Sequence, residues 1–190
     1  DMLKRDRVIL EQLNKDWQKV EDDPKFNLFR DKLSNRFFDK TINPSGKLVL
    51  FSESVDTLNY LYDRLTKEIG RTDVLLVTAA NRKRVGDTIK KNFDANHDVL
   101  EDNYNIIITS DVLAEGVNLH RSNVIVNYDS PWNATRLMQR IGRVNRIGSV
   151  VPNIYNYMFY PSQQGDKEIK LYKNALVKLQ GFHSAFGEDA

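Results

Sequence analysis

The 190-residue chain has no cysteine, which excludes disulfides and cysteine-ligated zinc. Only three histidines occur, His97, His120 and His183. No partner spacing suggests catalysis or metal binding for them, so no metal site is expected. His97 and His120 read as surface or loop residues, and His183 has no readable role. No segment approaches the roughly 18 apolar residues of a membrane span. The opening Asp1-Met2-Leu3-Lys4-Arg5-Asp6 is charged where a signal peptide turns apolar. The expectation is a soluble, cytoplasmic polypeptide with no membrane partner. Net charge is only +2, so affinity for a polyanion must come from where charges sit rather than from their sum. There is no internal repeat and no low-complexity tract.

What is present changes character once along the chain. Leu10, Leu13, Trp17 and Val20 recur at spacings of three and four, as do Phe26, Phe29, Leu33 and Phe37. This predicts two amphipathic helices within residues 2–41, the second opened by Asp22-Asp23-Pro24. Asn43-Pro44-Ser45-Gly46 is a turn. Beyond it, short β-branched runs alternate with helical stretches. Strands are predicted at 47–51, 74–77, 106–108, 124–126 and 154–159, and helices at 57–69, 82–93 and 166–180. The alternation argues for a parallel sheet with helices on both faces, whose ligands bind at the carboxyl ends of the strands. Those ends are marked by Ser52, Thr78, Ser110 with Asp111, and Tyr128 with Asp129. The division read from this pattern is a helical linker or insertion at 1–43, an α/β lobe at 44–165, and a C-terminal helix and tail at 166–190.

From Ser130 to Gly165 there is neither Asp nor Glu. Within that interval, Arg136, Arg140, Arg143 and Arg146 fall inside an arc of roughly 120° on a helix, while Leu137, Ile141 and Val144 face away. A solvated helix face ordinarily mixes acids with bases. This one is basic only, which suits phosphate, because arginine offers a planar, permanently charged fork. The alternative is a structural face that meets carboxylates supplied from elsewhere in the fold.

These residues carry a family resemblance. Gln139-Arg140-Ile141-Gly142-Arg143-Val144-Asn145-Arg146 resembles motif VI of superfamily 2 helicases and translocases, and Ile108-Thr109-Ser110-Asp111 through Glu115-Gly116-Val117-Asn118-Leu119 resembles motif V. Between them, Asn127-Tyr128-Asp129-Ser130-Pro131-Trp132-Asn133 is similar to the strand end and turn of Snf2-type, bacterial RapA-like members. The resemblance spans about 47–160. It implies the C-terminal one of two RecA-like lobes, an α/β parallel sheet preceded here by the helical segment. It further implies that Arg143 and Arg146 are catalytic arginine fingers reaching the β- and γ-phosphates of ATP, with Gln139 orienting nucleotide or water. Asn118 would contact the ribose, and Gly116 would allow close backbone approach, although Gly116 read alone is equally a helix C-cap. Motor lobes of this class grip the sugar-phosphate backbone, for which Ser52, Thr78 and Ser110 are placed. Trp132 either stacks on nucleic acid or anchors the core. Asn81 and Arg82 either offer helix-terminal amides to a phosphate or form a plain cap. Glu115 stands where many DEAD-box relatives have arginine, which disfavours an RNA helicase of that type.

Half of the chemistry is missing. ATP hydrolysis requires a phosphate-cradling loop, a lysine, magnesium ligands and a group that orients water. Gly46-Lys47 is followed by Leu48 rather than Ser or Thr, and Thr41 stands where the first glycine belongs. No Asp-Glu pair ends an apolar strand. The implied cofactor is ATP with Mg2+, the metal held by an N-terminal RecA-like lobe of the same parent chain. The other implied partner is double-stranded DNA. The chain alone is expected to be inactive and reads as a piece of a longer one. Two readings stand beside the DNA translocase: a non-catalytic nucleic-acid or protein interaction module on the same fold, and an RNA helicase lobe.

Overall fold

The computed structural model describes residues 2–20, 22–113, 116–131, 134–146 and 148–160. Two compact units divide at residues 37 and 38. The first contains α1 (Met2–Trp17) and α2 (Pro24–Lys32), the latter continuing as a π-helical turn over Leu33–Phe37. The start of α2 follows from its sequence. Asp23 accepts a hydrogen bond from the Phe26 amide at 3.0 Å, and Pro24 takes the first helical position, where a missing N–H has no consequence. Phe26, Phe29, Leu33 and Phe37 are buried, with Phe29 centred 6.2 Å from Phe26 and 6.0 Å from Phe37. The α1 stripe behaves differently: Leu10, Leu13, Trp17 and Val20 are all exposed.

The second unit is a five-stranded, wholly parallel sheet in the order β2-β3-β1-β4-β5. Its strands are β1 (Leu48–Phe51), β2 (Val74–Val77), β3 (Ile106–Thr109), β4 (Val124–Asn127) and β5 (Tyr155–Met158). β1, β3 and β4 are buried along their whole length, as continuous apolar runs in a two-faced sheet require. The crossovers are α3 (Val55–Asp63), α4 (Gly86–Phe93) and α5 (Ala134–Val144). Side chains alternate across each strand. Val49, Phe51, Val77, Ile107 and Ile125 accordingly share one core with Ile89 and Phe93 of α4 and Val144 of α5. α3 packs against β2 and β3 and buries Leu58 and Leu61. Helices thus lie on both faces.

Element boundaries shift where side chains hold the backbone. A helix read from 82 begins only at Gly86. Asn81 accepts from the Thr78 amide at 2.8 Å and donates to the Leu76 carbonyl at 2.9 Å, which keeps residues 78–81 in a turn. Asn81 therefore braces the end of β2 rather than capping a helix. The helix expected at 166–180 lies outside the described residues.

At the amino end of the sheet Lys47 is 2% exposed. Its ammonium donates to the Tyr104 carbonyl at 2.9 Å, meets Asp102 at 2.9 Å, and lies 5.0 Å from the Phe93 ring centroid. Burial lowers the Lys47 pKa below 10.5, against the opposing pull of Asp102. A lysine depressed in the folded state binds its proton less tightly there than in the unfolded chain. Stability therefore rises with pH between the folded value and 10.5. Urea denaturation across that alkaline window should show the native chain gaining on Lys47→Met, and parallel curves would contradict this.

Candidate functional site: an arginine helix at the strand ends

The helix α5 leaves the carboxyl end of β4 and returns along the sheet. Its apolar positions behave as the periodicity requires, with Leu137 and Val144 buried and Ile141 packed on the core. The basic face divides into two parts.

Arg140 is fully buried. Its Nε donates to Asp111 at 2.6 Å, its Nη1 donates to Asn127 Oδ1 at 2.9 Å, and its guanidinium carbon lies 5.0 Å from the Phe51 ring centroid. The remaining nitrogen, Nη2, is buried with no hydrogen-bond partner among the described residues. Arg136 is half-exposed and lies 3.4 Å from both Glu53 and Asp111. These two arginines meet carboxylates from the ends of β1 and β3, which corrects the picture of four guanidinium groups presented together to an anion. The acids sit 25 to 83 residues away in sequence, so the acid-free interval around α5 does not reveal them.

The second part lies at the carboxyl end of α5. Arg143 is partly exposed, and its carbonyl accepts from the Leu119 amide at 2.9 Å. This bond seats the 116–119 loop on the helix. Arg146 is exposed, donates from Nε to the Gly142 carbonyl at 3.3 Å, and donates from Nη1 to the Asn118 side-chain oxygen. It meets no carboxylate among the described residues. Gly116 has φ +81°, a left-handed conformation that glycine adopts without steric cost, and the position of its absent Cβ faces open space. The fold thus joins the loop that carries Gly116 and Asn118 to the end of α5, through the Arg143 carbonyl and the Arg146 side chain. Gln139 is exposed on the same helix, one turn earlier.

The hydroxyls at the strand ends are unequal. Ser52 is fully buried and donates to the Asp129 carboxylate, which also accepts from the Glu53 amide at 3.3 Å. Thr78 and Ser110 are half-buried. The Thr78 amide is held by Asn81, and Ser110 Oγ accepts from the Val112 amide at 3.5 Å. Arg82 reaches from the loop after β2 to the Val112 carbonyl at 3.2 Å, tying the two loops together. Trp132 lies outside the described residues.

His120, read as a surface or loop residue, does lie in a turn but is 1% exposed, with the 148–150 segment against it and Val150 donating to its carbonyl at 3.4 Å. Its Nε2 stands 3.6 Å from Asp94, and neither ring nitrogen has a hydrogen-bond partner among the described residues. Asp94 also accepts from Asn118 at 3.1 Å. No motif pointed to Asp94, since its link to the arginines passes through a loop 24 residues further on. Among the described residues, no three His, Asp or Glu side chains cluster as a metal would need.

Comparison with known proteins gives this geometry a context. The model of the helicase conserved C-terminal domain matches residues 25–148. An uncharacterized ATP-dependent helicase of Bacillus subtilis, YqhH, is 43% identical over 92 residues, which is 48% of this chain and 16% of that protein. A probable ATP-dependent RNA helicase of Dictyostelium discoideum, ddx51, is 30% identical over 107 residues, 54% of this chain and 18% of that protein. The chain thus spans about a sixth of the length of these curated relatives. Among solved structures, the C-terminal part of the Fun30 ATPase domain superposes with a TM-score of 0.61 at 17% identity, covering 91% of this chain and 54% of that one. At that identity the likeness concerns the fold, an α/β RecA-like lobe.

Proposed function

The chain belongs to the helicase conserved C-terminal domain family, and we propose that it is the second lobe of an ATP-dependent nucleic-acid motor, a DNA translocase of the Snf2, RapA-like kind. The observation that carries this reading is the seating of the 116–119 loop on the end of α5, where the Leu119 amide meets the Arg143 carbonyl and Asn118 meets the exposed Arg146. That arrangement suits a nucleotide whose phosphates are held by a different lobe. Arg143 and Arg146 would stabilise the charge of the transferring phosphoryl group. Asn118 would meet the ribose and Gln139 would orient nucleotide or water. The phosphate loop and the magnesium ligands belong, in this reading, to an N-terminal RecA-like lobe of the parent polypeptide. ATP and Mg2+ would thus be held between two lobes, with the arginines supplied from this one.

Nucleic acid would run across the carboxyl ends of the strands. Contact there would be made to the sugar-phosphate backbone by Thr78 and Ser110, together with Trp132, whereas Ser52, fully buried and donating to Asp129, is not presented to it. The preference for duplex DNA is supported by the Asn127–Asn133 run and by Glu115. A second reading, an RNA helicase lobe, is favoured by the name of the Dictyostelium relative. In both readings the isolated chain does not turn over ATP. Hydrolysis by the chain alone at a motor-like rate would overturn the two-lobe proposal. Competition between duplex DNA and single-stranded RNA as activators of the full-length protein decides the substrate: stronger activation by RNA would overturn the DNA reading. An interaction module without motor activity would show no activation by either.

A further inference from the structure

We infer that Asp94 is a positioning residue for Arg146, acting through the side-chain amide of Asn118; the inference rests on the reading of Arg146 as a phosphate-directed arginine. An asparagine amide has acceptor lone pairs at one end and two donors at the other, and which end faces a neighbour is decided by its partners. The Asp94 carboxylate accepts from Asn118 Nδ2 at 3.1 Å. This turns Asn118 Oδ1 toward Arg146, whose Nη1 donates to it. Without the carboxylate, the amide is free to reverse and confront a guanidinium that has only donors. The arginine would then lose its seat while every covalent part of the site remained.

Asp94 is itself immobilised, as a residue that aims another must be. It ends α4, with its amide donating to the Lys90 carbonyl at 2.9 Å. Its Oδ1 accepts from the Asn96 amide at 3.0 Å and lies 3.6 Å from the His120 ring. The side chain is 13% exposed. The buried imidazole fills the space behind it, and the Leu119–Arg143 backbone bond holds the other side of the loop. The position of the last arginine is thereby set by the end of a helix on a different crossover.

The test uses the full-length protein and measures nucleic-acid-stimulated ATP turnover. Arg146→Ala is the control for the underlying reading, with an expected loss of about 10³-fold. Asp94→Ala should lower kcat roughly 10- to 100-fold, the scale of a misplaced catalytic group, with the KM for ATP little changed. Asp94→Asn, which keeps an acceptor for Asn118, should recover most of that loss. In an Asn118→Ala background, Asp94→Ala should add nothing further. If Arg146→Ala is silent, the finger reading itself falls. If Arg146→Ala is severe but Asp94→Ala is silent, the positioning role falls alone. A loss from Asp94→Ala that multiplies with Asn118→Ala, or that Asp94→Asn does not relieve, means that Asp94 supports the fold generally and overturns the inference.

Discussion

Arg143→Ala in the full-length protein should reduce nucleic-acid-stimulated ATP turnover by about 10³-fold or more, the scale of a lost arginine finger. The physical argument is one of differential charge. A phosphoryl group in flight spreads negative charge over its oxygens, and a guanidinium fixed nearby stabilises that state more than the ground state. The loss should therefore appear in kcat, with ATP affinity changed much less. Arg143→Lys should not restore activity, because an ammonium lacks the planar fork that binds two oxygens at once. The variant keeps the bond seating the 116–119 loop, which is made by the Arg143 carbonyl, and it must fold for the result to bear on catalysis. Circular dichroism of the variant checks that. A folded Arg143→Ala protein with unchanged turnover would leave the family fold but remove the motor mechanism.

Asp111→Ala should destabilise the chain by about 3 kcal/mol, at the low end of the range for a broken buried pair because Asp111 is a quarter exposed. The cost comes from what remains behind. Arg140 would stay fully buried with its Asn127 bond and the Phe51 ring, but without the only carboxylate it contacts among the described residues. Its Nη2 already lacks a partner there, so the site has little capacity to absorb a further loss. Replacing both partners, Arg140→Met with Asp111→Leu, should recover much of the stability, because no buried charge is then stranded. Urea denaturation followed by circular dichroism measures both. A loss below about 1 kcal/mol for Asp111→Ala would indicate that water or a rearranged Glu53 compensates Arg140.

Much of this molecule was legible before folding was considered. The runs Leu48–Phe51, Val74–Val77, Ile106–Thr109 and Val124–Asn127 form strands because β-branched and aliphatic side chains without polar alternation suit a sheet buried on both faces. Asp23-Pro24 opens a helix through local hydrogen bonding that needs nothing distant. The stripe on α5 likewise separates Leu137 and Val144 from the arginines by periodicity alone. These are near-neighbour effects, and they also carried the family resemblance and the missing phosphate loop.

Other features depended on residues far apart in sequence. The wheel of α5 places Arg136, Arg140, Arg143 and Arg146 on one arc, but it does not say what stands opposite each of them. Parallel pairing of β1, β3 and β4 brings Glu53, Asp111 and Asn127 to the same end of the sheet. There they pair with Arg136 and Arg140, while Arg146 meets Asn118. The same convergence buries His120 and puts Asp94 behind Asn118. Sequence by itself therefore determined the elements, the apolar faces and the kind of lobe, because those follow from local propensity and period. Only the tertiary structure decided which arginines meet carboxylates and which meets Asn118, because electrostatic partners are chosen by distance in space and the sheet brings together groups that the chain keeps apart.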